Sequence, residues 1–247
     1  MRTPDLIFLA AAGAILGSFA NVVIHRLPRG ESIVVPGSRC PHCGAPIRAW
    51  DNVPVVSFIL LRGRCRRCGG RIAWRYPLVE LIMAVLAVAV GLRFREVLPL
   101  LSALIFVFLL VAITFIDLDH QLILNRLTYP GIVIGVLLSA LGGRALTAGL
   151  AGLGAAGLIL AIVVLSRGGM GGGDVKLAAL MGVFLGWPSI AVALFLAFLG
   201  GGLVGLLLLA LRLRGRKDAI PFGPALAAGA LAALFWGDAI ARWYWPR

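Results

Sequence analysis

The 247 residues are 61% hydrophobic and only 13% charged, with a mean hydropathy of +1.01, which excludes an ordinary soluble globular domain. A bilayer core about 30 Å thick needs roughly 20 apolar residues per helix, with every backbone polar group paired inside the protein, and the apolar runs here are too long and unbroken for barrel strands. The formal charge of +13, which in a soluble protein suggests nucleic acid, is read instead as membrane topology, so no nucleic-acid partner is expected.

In chain order, eight apolar runs are expected to form transmembrane helices: Leu6–Val23, Pro77–Leu92, Val97–Ile116, Leu127–Leu141, Leu146–Leu165, Val175–Leu185, Ile190–Leu211 and Phe222–Trp236, of which Val175–Leu185 is short. With the N-terminus outside, the inward-facing segments 24–76, 117–126, 166–176 and 212–221 hold 17 of the 23 Lys and Arg residues. The opposite orientation contradicts the positive-inside rule. The C-terminus then lies outside, where Trp243-Tyr244-Trp245 resembles an interfacial anchor. The first run follows Arg2 as a signal peptide would, but the basic segment after it and the lack of a small-residue cleavage site favour a retained span. The expected fold is thus an all-α polytopic membrane protein with a small cytosolic insert: residues 1–25 as the first transmembrane helix, 26–76 as the insert, and 77–247 as the membrane body. No internal repeat supports an inverted-repeat transporter.

The insert contains all four cysteines, as Cys40-Pro-His-Cys43-Gly44 and Cys65-Arg-Arg-Cys68-Gly69, two C-x2-C pairs with 21 residues between them. This spacing suits a four-thiolate zinc site, and a glycine after each second cysteine permits the tight turn that aims N–H groups at sulfur. Neighbouring arginines favour thiolates, and a reducing cytosol disfavours the alternative of two disulfides. Four thiolates close the metal to substrate, so Cys40, Cys43, Cys65 and Cys68 are expected to hold a structural zinc, with His42 a bystander.

Three of the ten acidic residues stand apart. Asp117 and Asp119 close an apolar run, and Asp174 follows Gly171-Gly172-Gly173 before another. Topology puts Asp117 at the end of an outside-to-inside span and Asp174 at the start of the return, so carboxyls 57 residues apart in sequence meet at the cytosolic face. Two converging carboxyls share a proton and supply a general base and a general acid, able to activate water against an amide. Positions i and i+2 diverge on a helix, so only one of Asp117 and Asp119 faces Asp174. The stretch Gly168-Gly169-Met170-Gly171-Gly172-Gly173 is either a flexible loop or a place where a substrate backbone lies beside Asp174; with no Gly-Lys-Ser/Thr ending and no preceding strand, it does not suit a phosphate loop. Asn21, His25 and Arg26 are read as helix-end anchors or as substrate or cofactor contacts, Glu80 as a partner of Arg75, and Lys176 as a modulator of Asp174 or a lipid anchor.

Taken in order, Gly17-Ser18-Phe19-Ala20-Asn21-Val22-Val23-Ile24-His25-Arg26-Leu27-Pro28, the two cysteine knuckles, Arg75-Tyr76-Pro77-Leu78-Val79-Glu80, Asp117-Leu118-Asp119-His120-Gln121, Gly171-Gly172-Gly173-Asp174-Val175-Lys176 and Pro221-Phe222-Gly223-Pro224 resemble the bacterial type IV prepilin peptidases, over about residues 13–240. The resemblance implies an intramembrane aspartic endopeptidase of the bacterial inner membrane that removes the basic leader of prepilins and type II secretion pseudopilins, cutting after glycine on the cytosolic side. It implies Asp117 and Asp174 as the catalytic pair, and methylation of the new N-terminus with S-adenosylmethionine, for which it points to no residues. Gly172 departs from the pattern, standing where many relatives carry tyrosine or another larger residue. A proton- or cation-coupled transporter using the same aspartates is the competing class, predicting acidic residues deeper in the spans, and a non-catalytic assembly scaffold is a third.

Overall fold

Long runs of Leu, Ala and Val leave a backbone in lipid no partner but itself, and each such run is helical in the computed structural model, which describes residues 3–166, 170–213 and 221–244. The helices are α1 (Thr3–Arg26), α2 (Val56–Leu60), α3 (Arg75–Arg93), α4 (Val97–His120), α5 (Asn125–Leu141), α6 (Ala145–Leu165), α7 (Gly172–Leu185), α8 (Ser189–Ala210) and α9 (Gly223–Tyr244). Apart from the single turn and a half of α2, they coincide with the eight expected runs. Among the described residues six of them, rather than the eight expected, are long and apolar enough to cross a membrane, and α5 is a shorter apolar helix carrying Pro130. The 14 residues of α7 give a rod of only about 21 Å, short of the hydrocarbon core. Among the described residues there is no strand, only isolated bridges within the insert. The chain is a multi-pass α-helical membrane protein.

The chain divides into two compact units, Met1–Leu100 and Leu101–Arg247. In the first, α1 packs along α3 through Gly13 and Gly17, a G-x-x-x-G stripe. A Cβ at Gly13 would stand 2.6 Å from the Met83 carbonyl, and one at Gly17 would stand 2.6 Å from the Glu80 Cα. Asn21, buried one turn further on, donates to the Tyr76 carbonyl at 3.0 Å and fastens the end of α1 to the start of α3. Arg26 turns into the insert, donating to the carbonyls of Ser32 and Gly37.

In the second unit the close pairs are α6 with α7 and α8 with α9. A Cβ at Gly182 of α7 would meet the Ala151 carbonyl at 2.5 Å, and one at Gly229 of α9 would strike Ala193 and Ala197 of α8. The core gathers Phe106, Leu110, Ile113, Ile116, Leu177, Leu180, Met181 and Leu226, with Phe106 stacked on Phe184 at 4.9 Å. Leu153, Leu160, Phe195 and Leu206 point outward and are exposed, as side chains meant for lipid are. Trp243 is exposed near the end of α9, while Trp245 of the expected anchor lies outside the described residues, as do Gly168 and Gly169 of the glycine run.

Candidate active site and candidate metal centre

Nothing in the run from Val97 halts helix propagation at Ile116, and α4 continues to His120, one turn beyond the expected end. Asp117 therefore sits inside the helix and is buried at 5% exposure, whereas Asp119 lies on the exposed side. The ambiguity between them is resolved geometrically: Asp117 faces inward. Asp174 is the third residue of α7 and is buried at 7% exposure. Its Oδ2 accepts the N–H of Gly171 at 3.1 Å, the return half of a capping box. The two carboxyls are within electrostatic reach of each other.

A third element completes the arrangement. Pro221-Phe222-Gly223-Pro224 starts α9 with a proline in the first turn, where no N–H is missed. The unsatisfied N–H of Gly223 donates to Asp117 Oδ2 at 2.9 Å. Thus each carboxyl has Oδ2 pinned by a backbone N–H at a helix start, a place that favours negative charge. Among the described residues, Oδ1 of each has no partner within the protein and is left open to a reactant. The quoted Pro221–Pro224 stretch carried this signal, a Pro-flanked Gly opening a helix, but not its target 106 residues away.

The other polar residues of the sequence reading fall elsewhere. Lys176 donates to Asn125 Oδ1 at 2.5 Å and lies over the Tyr129 ring, tying α7 to α5. Glu80 is not the partner of Arg75: the two are five positions apart on α3 and leave from different faces, and Glu80 Oε2 instead accepts the N–H of Val55 at 2.7 Å, with a further bond from Ser18. A Cβ at Gly172 would meet nothing within 4 Å, so the larger residue of the family pattern has room there.

In the insert the knuckles are built alike. Cys40 N–H donates to the Ala45 carbonyl and Gly44 N–H to the Cys40 carbonyl; Cys65 N–H donates to the Gly70 carbonyl and Gly69 N–H to the Cys65 carbonyl, all at 2.8–2.9 Å. Gly44 and Gly69 both adopt φ of +68°, a left-handed turn that glycine takes without strain. The sulfurs lie within 4.8 Å of one another, with Cys40 and Cys68 at 3.9 Å, close to the edge of about 3.8 Å of a tetrahedron with 2.3 Å metal–sulfur bonds and far from disulfide distance. N–H groups of Cys68 and Arg67 pull the Cys65 thiol down to about 6. The Gly70 N–H pulls Cys68 the same way, but burial and the neighbouring sulfurs outweigh it and push that thiol up to about 11. Four cysteines converge as a metal-ligand set, and His42, which packs on Gly70 with Nε2 3.3 Å from the Arg71 carbonyl, is not part of it. Of residues 26–76 only Cys40, Ala45 and Ser57 are buried, too little for a core.

Beside the knuckles is a cavity of about 420 Å³, walled by the end of α1, the insert and the start of α3. Asn21 and Glu80 line it, and so do His25 and Arg26. Arg29 donates to the His25 ring and to its carbonyl.

A helical membrane body holding two neighbouring carboxyls with one open oxygen apiece defines a membrane protein equipped for proton transfer at a buried site. Comparison with known proteins narrows this. A family model described as the Bacterial Peptidase A24 N-terminal domain matches residues 11–94, and one described as the Type IV leader peptidase family matches residues 104–206. A prepilin leader peptidase/N-methyltransferase of Aeromonas hydrophila is 41% identical, over 97% of this chain and 93% of its own length. Proteins of that name from Bacillus subtilis, 37% identical over 94% of each chain, and Legionella pneumophila, 36% identical over 93% of this chain and 90% of its own, are similar too. The chain belongs to the type IV leader peptidase family. No solved structure matches it.

Proposed function

We propose that this protein is a prepilin leader peptidase and N-methyltransferase of the bacterial inner membrane, which removes the basic leader of prepilins and pseudopilins and methylates the N-terminus so exposed. The observation that carries the reading is the convergence of Asp117 and Asp174, each held through one oxygen and open at the other. Two carboxyls so placed share a proton. The ionised one takes a proton from water as its oxygen attacks the scissile carbonyl carbon, while the protonated one donates to the carbonyl oxygen. Collapse of the tetrahedral adduct, with a proton passed to the amide nitrogen, breaks the C–N bond. The excess of basic residues in segments 24–76, 117–126, 166–176 and 212–221 supports a cytosolic side for this chemistry. The substrate's own apolar segment lies in the bilayer with its leader in the cytosol. Proton-coupled transport draws no support from the family or from the relatives' names.

Zinc suits Cys40, Cys43, Cys65 and Cys68, and with four thiolates it orders the insert and does not touch substrate. S-adenosylmethionine, when bound, supplies a methyl group on a sulfonium that leaves as a neutral thioether. The cavity in the first unit matches it in size, and Asn21, Arg26, Tyr76 and Glu80 are residues that would hold it.

Detergent-solubilised protein, incubated with a substrate carrying a basic leader and a glycine at the junction, is expected to release the leader, and to add one methyl mass only when S-adenosylmethionine is present. Mass spectrometry reads both. Intact substrate from well-folded protein would refute the peptidase. For the metal, elemental analysis is expected to find one zinc ion per chain, and chelation or Cys65→Ser to make residues 26–76 the first site of limited proteolysis while helical content stays. An insert equally resistant without metal would remove zinc from its structural role.

A further inference from the structure

The short helix α2 has two faces, and the first unit uses one of them. Ser57 and Phe58, with Leu61 just past its end, turn toward the cavity and line it. Val56, Ile59 and Leu60, spaced by three and four positions, share the other face and line no part of the cavity. They are exposed at 50%, 66% and 77%. Large apolar side chains gathered in this way on an outer surface mark a place where something docks.

Two contacts fix the depth at which that face sits. Trp74 immediately precedes α3, a helix long and apolar enough to span the bilayer, and its ring packs against Phe58 with centroids 4.8 Å apart. Tryptophan at the mouth of a spanning helix lies at headgroup level. The N–H of Val55, the residue before α2, donates to Glu80 Oε2 at 2.7 Å, and Glu80 is five residues, about 7 Å, beyond Arg75 along α3. Both attachments are to the opening turns of a membrane helix, so α2 lies level with the headgroups.

Charge then selects what covers the exposed face. Residues 26–76 hold ten arginines against Glu31 and Asp51, so that even four thiolates on one divalent metal ion leave the segment positive. Arg62 and Arg64 follow α2 directly, are exposed, do not line the cavity and have no ion pair among the described residues. This excess repels a second copy of the segment and a basic leader alike, and attracts lipid phosphate. An apolar helix face flanked by arginines has the composition of a helix lying in the surface of an anionic bilayer.

We infer that α2 is an interfacial helix, with Val56, Ile59 and Leu60 among the acyl chains and Arg62 and Arg64 on anionic phospholipid headgroups. The insert is then held to the bilayer along its side as well as through α1 and α3, and the cavity behind α2 is kept at the membrane surface.

Full-length protein carrying the photoreactive substitution Leu60→p-benzoylphenylalanine, in nanodiscs of equal phosphatidylcholine and phosphatidylglycerol, tests this on irradiation. Mass spectrometry of the peptide around position 60 is expected to find lipid adducts, with phosphatidylglycerol favoured about fivefold. Arg62→Gln combined with Arg64→Gln is expected to keep the adducts and abolish the preference. Crosslinks to a second copy or within the chain, without lipid adducts, overturn the docking. A preference absent from the starting protein, or undiminished by the arginine substitutions, overturns the headgroup role of Arg62 and Arg64. Should the photoreactive variant not fold, hydrogen exchange of the unmodified protein decides. Amides of residues 56–62 are expected to exchange about tenfold more slowly in anionic than in purely zwitterionic nanodiscs, and equal rates overturn the inference.

Discussion

Asparagine at either Asp117 or Asp174 is expected to slow leader removal at least about a thousandfold while the chain stays helical and membrane-inserted. The substitution is nearly isosteric, and the amide oxygen still accepts the N–H of Gly223 at position 117 or of Gly171 at position 174, so packing is kept. What is lost is the proton that the pair passes between water, substrate and itself. Asp119→Asn is the matched control, two residues along α4 on its exposed side, and is expected to cleave at nearly the wild-type rate. Initial rates by mass spectrometry, alongside circular dichroism, check all three. A rate within tenfold of wild type for Asp117→Asn or Asp174→Asn takes that residue out of the chemistry.

The second large effect concerns a residue with no side chain. A Cβ at Gly223 would lie 2.5 Å from Asp117 Oδ2, 3.0 Å from its Cγ and 3.3 Å from its Cβ, so alanine cannot enter without displacing the carboxyl or the start of α9. Misplacing a reacting group by about 1 Å costs on the order of a hundredfold, and Gly223→Ala is expected to lower kcat by about that factor with KM little changed. The loss falls on kcat because the substrate-binding surface stays and only the alignment moves. Gly172→Ala, with open space around it, is expected to retain wild-type kinetics. Wild-type kcat in Gly223→Ala would show that the contact between α9 and Asp117 does not position the carboxyl for reaction.

Much of this arrangement was legible in the residues, for reasons that differ from element to element. Apolar runs specify helices in lipid almost without ambiguity, since no other local structure satisfies the backbone there, and the eight runs reappear as eight helices. The spacing of Cys40, Cys43, Cys65 and Cys68 implies their convergence, because a C-x2-C-Gly turn is locally determined. Helix ends were harder. Polar Asp117 looked like a terminus, but one carboxyl does not stop a helix whose next turn is uncapped, and α4 ran on to His120. Partners across the fold were hardest. Glu80 was matched to Arg75 by proximity in sequence, yet its contact is Val55 in the insert, and Gly223 reaches Asp117 across 106 positions; nothing local encodes either distance.

That last contact bears on how such an enzyme is made. Asp117 and Asp174 are both synthesised well before Gly223, but the N–H that fixes Asp117 arrives only with α9, the most C-terminal described helix. A nascent chain paused before residue 223 therefore carries both acids without the backbone group that aligns one of them. A chain cut short ahead of α9 is expected to keep both carboxyls while losing the N–H that holds Asp117.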